Sequence, residues 1–213
     1  MSTNFDLLEY GSQVYEKVDT FPAGKQLLFE AGLCEVLYTL VVVLAEDENP
    51  PRLAAYRQGL DVIRLVAQGD PQPEAVVLQA RDAVDSLIPD DDAPGWSWAT
   101  PLWQNVGISV YYTLGVVAGD GEAGFPLSHY IEAADYIAQS TSGLNTPLAS
   151  IEREPIVVQA RQVVADMVQT LENMDVTLDA VAVYYSQLAE AGRSLASIAE
   201  RLREDARNRG VNI

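Results

Sequence analysis

Residues 100–117, TPLWQNVGISVYYTLGVV, decide the fold class of this chain. Thr100 and Pro101 are typical of a helix N-terminus, because threonine caps free backbone N–H groups and proline fits the first turn. Across 102–117 apolar side chains occur all around the helix axis, which predicts a central helix buried on every side. The β-branched residues leave a strand as a second interpretation of this segment.

Boundary residues divide the rest of the chain into long helices. Proline in or near a first turn predicts helices that start near residues 22, 50, 73 and 126. Their predicted ends lie near residues 45, 69, 88 and 139, and two more helices are expected over 151–174 and 178–207. We therefore predict an all-α fold in one domain spanning residues 1–213, a bundle of about seven or eight helices around a buried central apolar helix.

The last predicted helix carries leucine and isoleucine at near-heptad spacing, at Leu188, Leu195, Ile198 and Leu202. This spacing is typical of a seam between helices. The seam can lie inside the bundle or between two subunits, so a homodimer is one alternative.

Composition limits the classes of function. The 213 residues are 48% hydrophobic, as expected of a folded domain, and carry a net charge of −18. Such a charge repels phosphate backbones and anionic lipid, which argues against nucleic-acid and membrane-surface binding. The N-terminus MSTNFDLLEY has no basic segment typical of a signal peptide, and the apolar run 36–45 is too short to span a bilayer. We expect a cytoplasmic protein.

The common catalytic and metal-binding motifs are missing from the sequence. There is one cysteine, Cys34, and one histidine, His129, which excludes ordinary zinc sites, di-iron bundle sites and a disulfide within the chain. No phosphate-binding loop, dinucleotide fingerprint or nucleophile elbow occurs. We therefore expect no metal and no cofactor, and a non-enzymatic role is favoured over an enzymatic one.

The most unusual stretch is 82–152, which contains ten carboxylates and no lysine or arginine. It also holds all three tryptophans and the histidine. A carboxylate in such a stretch needs water, a hydrogen-bond donor, a distant arginine or an external cation. The candidate ligand- or partner-binding residues are Asp90, Asp91, Asp92, Trp96, Trp98, Trp103, Tyr111, Tyr112, His129 and Glu132.

Each group of candidates has a structural alternative. Residues 90–92 suit a divalent cation or a basic partner, but three aspartates are also ordinary turn chemistry before a helix. The tryptophans suit a cation–π site or an interface, but they also suit the capping of a core. His129, Glu132 and Tyr136 share one helix face, which indicates either a proton-handling pair or a surface pair.

Several segments together resemble a known bacterial family. They are FPAGKQLLFEAGLCEVL, PRLAAYRQGLDVIRLVAQGD, LIPDDD, REPIVVQARQVVADMVQTL and the ending RLREDARNRGVNI. In this order they resemble the YjaG-like proteins, a domain of unknown function, over nearly the whole chain. The resemblance implies an all-α cytosolic bacterial protein, and it implies no reaction and no functional residues.

Two functional hypotheses remain from different classes. The first is a binding or accessory protein, immunity- or antitoxin-like, whose acidic aromatic surface engages a basic protein partner. The second is a small-molecule-binding protein or enzyme with a pocket lined by Trp103, Tyr111, Tyr112 and carboxylates, which takes a small cationic or apolar ligand. Mimicry of DNA by rows of carboxylates is a third alternative.

Overall fold

The structure is a computed structural model that describes residues 7–44, 49–90, 97–121, 123–142 and 147–211. Over these residues the chain forms eight long helices, one single-turn helix and no strand, which confirms the all-α prediction. The helices are α1 (Leu7–Val18), α2 (Ala23–Leu44), α3 (Pro50–Ala67), α4 (Glu74–Asp85), α5 (Thr100–Ala118), α6 (Phe125–Ser142), α7 (Leu148–Ile151), α8 (Pro155–Asn173) and α9 (Leu178–Asn208).

Several helix ends follow the local chemistry of the sequence, although α5 begins after Ala99 without a side-chain cap. The Asn49 side chain accepts a hydrogen bond from the Arg52 backbone N–H at 3.2 Å, and Pro50 opens α3. The Thr177 hydroxyl accepts one from the Ala180 N–H at the start of α9. At the C-terminal end of α5, Gly119 adopts a φ of 83°, a left-handed conformation that glycine takes without steric cost.

Two helical segments differ from the sequence prediction. The helix expected over 151–174 begins only at Pro155, because proline lacks the N–H that an interior helix position must donate. Residues 152–154 form a turn that separates α8 from the single-turn α7. Helix α1 was not predicted from the sequence, and it packs against α6 and α8.

The core is organised around two apolar helices. The predicted central helix is α5, which packs against α2, α3, α4 and α6. Helix α2 is equally central, because it is apolar on all sides and packs against α3, α5, α6, α8 and α9. By length and composition α2 could cross a membrane, but 72% of its most apolar window is buried inside the bundle.

Helix α9 crosses α2 closely at Gly192. A side chain at this position would place its Cβ 2.8 Å from the Val36 carbonyl oxygen, so only glycine fits without a shift of the backbone. Of the near-heptad residues, Leu188 and Leu195 are buried, and Ile198 and Leu202 pack against the same core. The leucine seam therefore lies inside the bundle.

Candidate functional site

Only part of the cation-free stretch lies at the surface. It runs from the end of α4 through α5 to α6 and α7, and α4 and α6 both pack against α5. Asp82, Asp85 and Glu132 are exposed on the two flanking helices, whereas the interior side of α5 is buried. Much of the missing positive charge is thus a consequence of burial, since a core helix cannot hold lysine or arginine without a partner.

Arginines from outside the stretch meet some of its carboxylates. The Arg81 guanidinium donates to both carboxylate oxygens of Asp120, at 2.6 and 2.9 Å. On α6, burial raises the pKa of Asp135, and the positive charge of Arg161 offsets part of this increase. These carboxylates are therefore committed to contacts within the fold.

Trp98 is anchored in the turn before α5 by contacts from two other helices. Its indole N–H donates to the Ser140 hydroxyl at 2.9 Å, and the Tyr136 hydroxyl donates to the Trp98 carbonyl oxygen at 3.0 Å. The guanidinium of Arg203 on α9 lies 4.1 Å from the centre of the indole ring. The cation over the tryptophan is thus supplied by the chain itself.

Trp103 lies in the core. It is only 2% exposed and packs against Tyr56, with the ring centres 6.2 Å apart. A ligand cannot reach this indole in the structure as it stands, so the core-capping interpretation of Trp103 fits its position. The surface candidates therefore do not include it.

Tyr111 and Tyr112 are half-buried in the second half of α5, towards the α5–α6 turn. The Tyr112 ring stacks on Phe125 at 3.9 Å between ring centres, and its edge meets Tyr111. The Arg81 guanidinium lies 5.8 Å from the Tyr111 ring centre. Both tyrosine rings are therefore already in contact with side chains of the protein itself.

His129 forms a polar cluster with α5. Its Nδ1 lies 2.8 Å from the Asn105 side-chain oxygen and 3.3 Å from a Glu132 carboxylate oxygen. Both neighbours are acceptors, so Nδ1 carries the proton in this arrangement. The predicted pairing with Glu132 is present, whereas Tyr136 belongs to the Trp98 contacts.

The aspartate run and the first tryptophan are only partly covered by the structure. Asp90 is exposed. Asp91, Asp92 and Trp96 lie outside the described residues. Within the described part of the chain, there is no group of three or more His, Cys, Asp or Glu side chains placed to hold a metal ion.

Glu30 was not among the candidates predicted from the sequence. It lies on α2 and is 3% exposed. One of its oxygens, Oε1, accepts hydrogen bonds from the Tyr15 hydroxyl at 2.6 Å and from the Gly124 N–H at 3.2 Å. The other oxygen is buried without a hydrogen-bond partner among the described residues. Burial raises the pKa of Glu30 to about 7, and the two hydrogen bonds oppose this shift.

A second buried carboxylate, Glu35, lies on the same helix. Both of its oxygens accept from Arg57 on α3, each at 2.9 Å. Between the two glutamates, Cys34 is fully buried with its sulfur 3.4 Å from the Thr113 hydroxyl, and burial raises the pKa of the thiol. The sequence signal for both sites was the presence of two glutamates in an apolar run.

Three surface cavities can be described. The first, of about 720 Å³, lies beside Trp98 and the last turns of α9. The second, of about 500 Å³, lies between α1 and α8, and the third, of about 290 Å³, lies between α8 and α9. Trp103, Tyr111 and Tyr112 line none of these three cavities.

Comparison with known proteins does not assign the chain to a family. No family model matches it, and no curated protein or solved structure is significantly similar to it. The resemblance to YjaG-like proteins remains a prediction from the sequence.

Proposed function

We propose that the protein is a non-enzymatic binding or accessory protein, immunity- or antitoxin-like, that acts in the cytoplasm. Its α4–α6 face would engage a basic protein partner. We define this face by Asp82, Asp85, Asp90, Tyr111, Tyr112, His129 and Glu132, which are exposed or half-buried on α4, α5, α6 and the segment after α4. The observation that carries the proposal is the lack of lysine and arginine over 82–152.

The chemistry of the face supports a basic partner. Asp82, Asp85 and Glu132 are exposed carboxylates on the two helices that flank α5. Tyr111 and Tyr112 add half-buried aromatic rings on α5, and tyrosine is enriched among residues that dominate binding energy. Negative charge of this kind increases the rate of encounter with a positive surface and orients it.

The alternative, a small-molecule-binding protein or enzyme, receives less support at the residues that the sequence singled out. Trp103 is in the core, and the Tyr111 and Tyr112 rings contact each other, Phe125 and Arg81. A cavity of suitable size lies beside Trp98 instead. The charged side chains that line this cavity come from α9, whereas the alternative required carboxylates near Trp103, Tyr111 and Tyr112.

The experiment that tests the proposal compares two variants with equal loss of charge. The first carries Asp82→Asn, Asp85→Asn and Glu132→Gln on the α4–α6 face. The control carries Glu16→Gln, Asp70→Asn and Asp175→Asn, which are exposed carboxylates on other parts of the surface. Proteins captured from the native host by the wild type at low salt are identified, and the purified partner is titrated into all three proteins by calorimetry.

We expect the face variant to bind the partner at least about tenfold more weakly than the control, because close charge pairs carry interface energy. Affinity of the wild type should also fall with added salt, since exposed charges are screened. Equal affinity of the two variants, or recovery of no basic partner, would reject the proposal.

A further inference from the structure

The cavity beside Trp98 has the size of a small-molecule site. Its volume of about 720 Å³ falls within the range of about 300–1,000 Å³ that is common for ligand pockets. The last residues of α2, the turn before α5 and the final turns of α9 form its walls. Among the described residues, the cavity is partly open to solvent.

Two arginines from α9 line this cavity, Arg203 and Arg207. Neither forms an ion pair with a carboxylate in the described part of the chain. Arg203 Nη1 donates to the Leu44 carbonyl oxygen at 3.3 Å, which fixes the guanidinium, while its buried Nε has no acceptor among the described residues. Burial and the neighbouring charge of Arg207 lower the pKa of Arg203, and the negative charge of Glu200 offsets part of this decrease.

Part of the cavity wall is apolar. Val43 is 46% exposed there, and the indole of Trp98 lies under the Arg203 guanidinium at 4.1 Å. Stacking on an aromatic ring holds a guanidinium in one orientation and leaves its edge for hydrogen bonds. The cavity thus combines an apolar surface with fixed hydrogen-bond donors. This combination suits a ligand that has an apolar body and a hydrogen-bond acceptor.

The other charges at the cavity limit the charge of the ligand. Glu200 and Glu204 line it as well, so the charges of the four described side chains that line the cavity sum to zero. The chain as a whole carries −18. The cost of removing an anion from water rises steeply with its charge, so a lining with no net positive charge favours a singly charged group over a doubly charged phosphate.

We propose that the Trp98 cavity binds a singly charged organic carboxylate. The carboxylate lies against Arg203 and Arg207, where guanidinium donors match its oxygens, and an apolar body lies against Val43 and Trp98. This site is separate from the α4–α6 face and does not rest on the proposed function. Its ligand also differs in charge from the small cationic or apolar ligand of the second functional hypothesis.

The test uses 2-naphthoate as the anionic probe and 2-naphthamide as its neutral match, titrated into the full chain by calorimetry. We expect 2-naphthoate to bind at least about tenfold more tightly, because only the anion gains charge-assisted hydrogen bonds. Inorganic phosphate should not displace it. The Trp98 indole N–H signal in NMR spectra should shift on addition of 2-naphthoate.

Arginine variants locate the site. Arg207→Gln should weaken binding of 2-naphthoate about fivefold to tenfold. Arg201→Gln removes the same charge from an exposed position on α9 outside the cavity, and should change affinity less than about twofold. Arg203→Gln should abolish binding, with circular dichroism confirming that the variant is folded.

Three results would overturn the assignment. Equal affinity for 2-naphthoate and 2-naphthamide would show that the charge is not recognised. An equal effect of Arg201→Gln and Arg207→Gln would show a general effect of protein charge. Displacement of 2-naphthoate by inorganic phosphate would show that the ligand class is wrong.

Discussion

Glu30 and Glu35 lie five residues apart on the same helix, and both are buried, but the protein accommodates them differently. Glu35 faces Arg57, which donates to both of its carboxylate oxygens. Glu30 faces α1 and the turn before α6, where two donors share one oxygen. The first site places a cation beside the charge, and the second raises the pKa until the carboxyl is partly protonated near neutral pH.

The difference shows how one apolar helix can hold two carboxyl groups. At Glu35, burial is compensated by an ion pair with ideal bidentate geometry. At Glu30, the compensation is incomplete, since Oε2 has no hydrogen-bond partner among the described residues. We therefore expect Glu35 to depend on its partner and Glu30 to depend on pH.

The largest effect should come from Arg57→Met. This change leaves the Glu35 carboxylate buried without its cation, and removal of one partner of a buried pair typically costs about 3–5 kcal/mol. Because Arg57 is one-third exposed, we expect a loss of about 3 kcal/mol in the free energy of unfolding, measured by urea denaturation. Arg193→Met, which breaks the exposed pair with Glu190, should cost less than about 1 kcal/mol. Equal losses would show that the buried Arg57–Glu35 pair contributes no more to stability than an exposed pair.

The second effect should come from Glu30→Gln and should depend on pH. A carboxyl whose pKa is raised in the folded state stabilises the fold below its unfolded pKa, and this stabilisation is lost as the pH rises through the folded value. With a folded pKa of about 7, the wild type should lose about 2.5 kcal/mol between pH 5 and pH 8 through Glu30.

The side-chain amide that Glu30→Gln introduces does not ionise, so the variant should gain stability relative to the wild type as the pH rises over this interval. Urea denaturation at pH 5, 6.5 and 8 measures this difference, with Glu16→Gln on the exposed side of α1 as the control. A difference between variant and wild type that stays constant with pH would contradict the raised pKa of Glu30.

The third effect should come from Tyr15→Phe, which removes the shorter of the two hydrogen bonds to Glu30. A hydrogen bond to a charged group contributes about 1.5–3 kcal/mol, so we expect a loss of roughly 1.5 kcal/mol at pH 8. The loss should be smaller at pH 5, where Glu30 is protonated. Thermal unfolding at the two pH values provides the measurement. An equal loss of stability at both would show that the contribution of Tyr15 does not depend on the charge of Glu30.

The smallest effect should come from Asp61→Asn. Asp61 is the exposed second partner of Arg57, four residues further along α3. Such surface pairs contribute about 0.3–0.5 kcal/mol, and added salt should remove the contribution. A loss comparable to that of Arg57→Met would mean that the surface partner, and not Glu35, holds Arg57 in place.

Local signals in the sequence predicted most of the fold. Pro50 and Pro101 mark helix starts because the first turn needs no proline N–H, and the all-round apolar character of 102–117 predicted a core helix. The break before Pro155 was missed because the apolar pattern continues through Ile151 and Ile156. Periodicity alone does not register a short turn between two segments with similar faces.

The candidate site was less predictable, because it depends on contacts between distant parts of the chain. Trp98 and Trp103 are five residues apart and look alike in sequence, yet one lines a cavity and the other is in the core. The cation over Trp98 comes from Arg203, and one donor to Glu30 comes from Gly124. No local pattern specifies such partners, since they are set by how the helices pack.

The burial of Cys34 has a practical consequence. The chain contains one cysteine, its thiol is fully enclosed between α2 and α5, and burial keeps it protonated by raising its pKa. A maleimide reagent needs an accessible thiolate and would leave the native protein unmodified. A cysteine introduced at exposed Asp90 or Arg207 would therefore carry a fluorescent label at one defined position, without prior removal of the natural thiol.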